Sequence, residues 1–127
     1  MKANRQIIFD KFHGKCAYCG CELQKGWHVD HINPKRRGDC DSRLIKSNIK
    51  RGTDDLENLN PSCARCNIRK NSLTLEQFRR EIKEQTKRLK RDSNQFRLAL
   101  DYGLIKETNI EVKFYFEQIE KLKSEGE

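Results

Sequence analysis

Apolar residues are scarce in this chain. Of its 127 residues, 35% are hydrophobic and 36% are charged. No stretch approaches the ~18 consecutive apolar residues of a membrane span, so no membrane association is expected. The opening Met1-Lys2-Ala3-Asn4-Arg5-Gln6 leads into a short amphipathic stretch, not into the apolar segment of a signal peptide. The expectation is a cytoplasmic protein in which thiols stay reduced. Internal repeats, low-complexity tracts and any helix-turn-helix pattern for reading base sequence are also missing. A core built from so few apolar groups is small, and a chain this polar commonly needs a further staple.

Positive charge and cysteine are plentiful. There are 27 Lys and Arg against 19 Asp and Glu, a net charge of +8, and the pI is about 9.3. Such a balance suits a polyanionic partner, most often nucleic acid. Four of the six cysteines form two pairs, Cys16-x-x-Cys19 and Cys63-x-x-Cys66. In a reducing compartment this pattern argues for metal over disulfides. A CxxC turn brings two thiolates to the separation that one tetrahedral zinc needs, and two turns complete a closed structural site. Gly20 suits the positive φ such a knuckle requires. Cys21 is a weaker alternative to Cys19 as ligand, and Cys40 is expected to be a free thiol.

Periodicity outlines the rest. Ile8, Phe9 and Phe12 mark one face of a short helix over residues 4–13 that stops at Gly14. Trp27–Ile32 alternates like a strand, and Asn33-Pro34 ends it. Residues 35–55 read as a long basic loop with a local helix near Arg43–Ile49. Residues 55–59 read as a short strand or turn. Pro61-Ser62-Cys63 reads as the start of a helix capped by Ser62 and carrying Cys66, Asn67 and Lys70. Thr74 and Gln77 make a capping-box pattern, and Leu75, Phe78 and Ile82 make the stripe of a basic helix reaching about Asp92. A further helix is expected over 94–102, a strand over 110–116 and a helical tail. The fold class is α+β. The division expected is a zinc-stapled core over residues 1–75 and a helical extension over 76–127 packed on it.

The chemistry lies between the knuckles, in Asp30-His31 at the strand end, in Asn58 within Asp55-Leu56-Glu57-Asn58-Leu59, and in Asn67 and Lys70 after the last cysteine. If the polyanionic partner is a nucleic acid that is cut, the reaction needs an activated water and neutralised phosphate charge. A histidine with an ordinary pKa near ~6.5 can take a proton from water at neutral pH. Asp and Asn oxygens can hold a hard cation that polarises the phosphate. His28 lies two residues before Asp30 on the same strand face and is a further candidate beside the metal.

In this order, with Gly38 and both knuckles, the segments Cys16–Gly20, His28–Pro34, Asp55–Asn58 and Ser62–Lys70 resemble the HNH endonucleases, whose fold is a ββα-metal unit. The resemblance spans roughly residues 14–71. It implies a DNA endonuclease with His31 as general base, Asp30 as ligand of a catalytic divalent ion, and Asn58 as the residue that holds the loop and orients the base. The family's third letter is usually a metal-binding His; here it is Asn67. An amide oxygen suits magnesium or manganese better than zinc or nickel. Lys35, Arg36, Arg37 and Lys70 are the expected phosphate contacts. Lys46, Lys50, Arg51 and the helix at 79–91 offer a further basic surface, salt-dependent and poor in sequence reading. A phage or host protein partner is open. The competing reading is a zinc-bearing module that binds nucleic acid or protein without cutting.

Overall fold

A computed structural model describes residues 2–36, 38–48 and 50–126 of the chain. Arg37, an expected phosphate contact, and Ile49, at the end of the expected loop helix, lie outside the described residues. Helices α1 (Lys2–Asp10), α2 (Asp41–Lys46), α3 (Ala64–Lys70), α4 (Leu75–Asp92), α5 (Asn94–Asp101) and α6 (Tyr115–Glu125) accompany one pair of strands, β1 (His28–His31) and β2 (Leu59–Ser62). No described helix is long and apolar enough to cross a membrane.

The strands are antiparallel, with His28 opposite Ser62, Val29 opposite Pro61, Asp30 opposite Asn60 and His31 opposite Leu59. A proline lacks the N–H that a central strand would need, but a two-stranded ladder tolerates it. The carbonyl of Pro61 is used, accepting from Ala17 N at 2.9 Å. Residues 61–62 therefore do not begin the helix, as the sequence suggested. The strand runs through Ser62, and Cys63 caps α3, its sulfur accepting from Cys66 N. One sulfur thus satisfies an otherwise orphaned helix N–H while facing the other thiols. A 3-10 turn at Leu56–Asn58 leads into β2.

One aromatic cluster holds the molecule together. Phe12, Tyr18, Phe78, Phe114 and Phe116 are buried in it with Cys16, Ala17 and Cys66. Tyr18 meets Phe78 and Phe114 edge-on, with centroids 5.5 and 5.4 Å away, and Phe78 stacks on Phe114 at 5.2 Å. Edge-on and offset pairs of this kind add to the ~1.5–3 kcal/mol each large side chain gains from burial.

The strand expected over 110–116 does not form. Residues 105–114 form neither helix nor strand, and α6 begins at Tyr115. The alternation behind that expectation exists, since Phe114 and Phe116 are buried. The backbone finds its partners in the first knuckle instead, with Tyr115 N donating to Tyr18 O (3.0 Å) and Phe116 N to Ala17 O (2.8 Å). Glu117 fastens this segment to α4. It receives both arms of the Arg79 guanidinium, at 2.9 and 2.6 Å. The α4 start matches its sequence pattern, with Thr74 and Gln77 exchanging reciprocal bonds of 2.9 and 3.2 Å.

Candidate active site and metal centre

The ligand sulfurs of Cys16, Cys19, Cys63 and Cys66 lie within 4.8 Å of one another. Gly20, at φ +80°, closes the first knuckle, and a Cβ there would press on the Tyr115 ring at 3.1 Å. A hydrogen bond from Cys66, opposed by burial and helped by backbone N–H groups, pulls the Cys16 thiol down to about 4, and the same bond pushes the Cys66 thiol up. Four thiolates this close repel unless a cation sits among them. The set of four soft donors fits zinc. Cys21 and Cys40 stand outside the cluster and are exposed.

Beside this centre, Asp30, His31 and Asn67 line a single cleft of ≈ 490 Å³, with Lys35, Arg36, Asn71 and Ser72 in its wall. Strand β1 turns Asp30 inward and leaves it 5% exposed. Its Oδ2 accepts from the Tyr18 hydroxyl and lies 3.1 Å from Lys70 Nζ. Lys70 also donates to His31 O at 2.8 Å. Burial raises the Asp30 pKa, opposed by the Lys70 charge and the Tyr18 hydrogen bond. Burial likewise lowers the Lys70 pKa, opposed by the Asp30 charge. The phosphate contact expected of Lys70 needs correction: the side chain is 0% exposed. Its place one turn after Asn67 carries it under the sheet, where it is the internal counter-ion of Asp30.

Tyr18 and Lys70 share one oxygen of Asp30, so Oδ1 is left for a ligand. The Asp30 carboxylate and the Asn67 amide are hard donors on the same cleft, a set that fits a magnesium- or manganese-like cation.

His31 lies on the cleft, with its Nε2 2.8 Å from Asp54 Oδ1. The other Asp54 oxygen accepts from Lys35 at 2.6 Å. These two bonds, Lys35 first, hold the Asp54 carboxyl down to about 2. Two devices fix the loop that carries Asp54. Asn58 accepts from Asn33 N (2.9 Å) and donates to Asn33 O (3.1 Å) and Thr53 O (2.7 Å). Gly52 N donates to Pro34 O at 2.9 Å, and a Cβ on Gly52 would lie 1.6 Å from Asn33 O. Only glycine permits this approach.

Arg51, expected on the basic surface, turns inward over its own loop. It donates to the carbonyls of Lys35, Arg36 and Asp39 and to Asp41. Arg36 sits at φ 60°, and its Nε is closed off from solvent without a hydrogen-bond partner. His28 is exposed and is not part of the cleft wall. Sequence reasoning missed Tyr18 and Asp54. Tyr18 was visible only as a filler inside CxxC, and Asp54 as one of two adjacent aspartates.

A two-stranded sheet and a helix, gripped by four cysteines around a polar cleft, define a ββα-metal unit. Residues 16–73, a little under half of the chain, match the family model described as HNH endonuclease. That segment is an HNH domain, of a family that acts as nucleases. No curated protein and no solved structure matches the chain significantly.

Proposed function

We propose that the protein is a metal-dependent endonuclease that hydrolyses DNA phosphodiester bonds. The observation that carries this reading is the convergence of Asp30, His31 and Asn67 on one cleft whose wall includes Lys35 and Arg36. His31 takes the proton from the attacking water. Asp30, through Oδ1, and Asn67 hold a magnesium or manganese ion, which when bound supplies Lewis-acid stabilisation of the phosphate and leaving oxygen. Arg36 and Lys35, in the wall of that cleft, receive phosphate oxygens, and Arg37 stands next to them in sequence. Asn58 holds the loop beside the base. Lys70 keeps Asp30 ionised and in place. The zinc is structural and fixes strand against helix. Exposed Arg80, Lys83 and Lys87 on α4 add phosphate contacts that carry no sequence information. Four reduced thiols at one zinc suit the cytoplasm. The extension beyond residue 75 works as a brace on the nuclease core.

The test is cleavage of supercoiled plasmid by wild type and His31→Ala, each with Mg²⁺, Mn²⁺ or EDTA. Open-circle or linear product from wild type alone, and only with metal, is the expected result. No product from folded, zinc-loaded wild type would move the assignment to a binding module, the reading that Asn67 in place of the usual histidine favours.

A further inference from the structure

We propose that Asp54 is a positioning residue for His31: its carboxylate holds the proton on Nε2 and so leaves the lone pair on Nδ1 as the proton acceptor. An ionised carboxylate can only accept hydrogen bonds, so the 2.8 Å contact between Asp54 Oδ1 and His31 Nε2 requires hydrogen on that nitrogen. A neutral imidazole with hydrogen on Nε2 has its free electron pair on Nδ1. Lys35, at 2.6 Å from the second oxygen, orients the carboxylate from its other side.

A rival explanation treats Asp54 as a stand-in for phosphate, since it bridges a histidine and a lysine at a DNA-binding cleft. A stand-in must leave when DNA arrives, and the loop around Asp54 is built to stay. Gly52 is packed against the Asn33 carbonyl at a distance that admits no Cβ, and Asn58 grips the Thr53 carbonyl at 2.7 Å. Both bolts tie the residues just before Asp54 to the chain leaving β1, two residues beyond His31. The role of Asn58 thereby acquires a physical route: it fixes Thr53, Thr53 places Asp54, and Asp54 orients the imidazole.

This inference rests on His31 as the base, so its test has two arms. The first reads the His31 tautomer from imidazole ¹⁵N shifts at mildly alkaline pH in wild type, Asp54→Asn and Asp54→Ala. Hydrogen on Nε2 should dominate in wild type and in Asp54→Asn, whose amide oxygen still accepts, and should lose its dominance in Asp54→Ala. The second arm is plasmid cleavage by the same proteins, matched for zinc content and circular dichroism. Asp54→Ala should lose roughly tenfold to a hundredfold in kcat with KM for DNA not raised, and Asp54→Asn should recover part of the loss. Wild type with hydrogen on Nδ1, or Asp54→Ala cutting as fast as wild type or faster, would overturn the proposal. A wild type that keeps the Nε2 tautomer but cuts nothing would remove the nuclease reading and the acceptor role of Nδ1, leaving the hold of Asp54 on the ring intact.

Discussion

The hydroxyl of Tyr18, seated between the two cysteines of the first knuckle, donates to Oδ2 of Asp30 on β1. Burial, then the neighbouring Asp30 charge, raises the pKa of the phenol, so it remains a donor. The four-cysteine cluster and the cleft are thus joined through one side chain, whose ring is the hub of the aromatic core. Tyr18→Phe keeps the ring and deletes the donor. Losing one partner of a buried carboxylate should cost about 1–3 kcal/mol in urea unfolding. Zinc content should not change. A full loss of zinc would show instead that the hydroxyl supports the knuckle itself.

Lys70→Met should be worse. It leaves Asp30 buried opposite an aliphatic chain, and breaking such a pair from one side costs about 3–5 kcal/mol. Replacing both members, Asp30→Asn with Lys70→Met, should restore much of that stability while abolishing cleavage. Equal stability of the single and double variants would show that the two charges do not interact.

Removing the zinc should dismantle the fold and not merely the activity. The thiols join residues 16–19 to residues 63–66, and the apolar core is too small to hold that closure unaided. Cys63→Ser, or wild type with a strong zinc chelator, should lose most of its cooperative unfolding transition by circular dichroism. Cys40→Ser, at an exposed thiol outside the cluster, should behave as wild type.

The Arg79–Glu117 fork gives a pH signature. The hydrogen bonds from Arg79 lower the Glu117 pKa from its ordinary 4.5. A carboxylate depressed in the folded state contributes stability that is complete above the unfolded pKa and is lost as pH falls through the folded one. Glu117→Gln should therefore be about 1 kcal/mol less stable than wild type at neutral pH. That gap should close as the pH is lowered from about 5 through the acid range. A gap that persists in acid would assign the loss to packing.

The parts of this protein written in short, local patterns were legible in the sequence. The two CxxC pairs announced the four-sulfur cluster, Thr74 with Gln77 announced the start of α4, and Asp30 with His31 and Asn67 announced residues that meet at one cleft. What escaped depends on contacts distant in sequence. Lys70 looks like a surface cation beside Asn67 until β1 delivers Asp30 above it. Asp54 looks like any loop acid until Gly52 lets the loop lie on Asn33. Phe114 and Phe116 alternate as in a strand, yet their backbone pairs with the knuckle, which no local period encodes.

That last pairing has a consequence for the order of events when the chain is made. Tyr18 emerges early from the ribosome, but the rings that pack on its far side belong to residues 114 and 116. A chain that has reached residue 78 holds all four cysteines, Lys70 and Phe78, yet Tyr18 still lacks two of its three ring partners, Phe114 and Phe116. The packing around the tyrosine that steadies Asp30 is thus completed by residues translated long after every residue of the cleft.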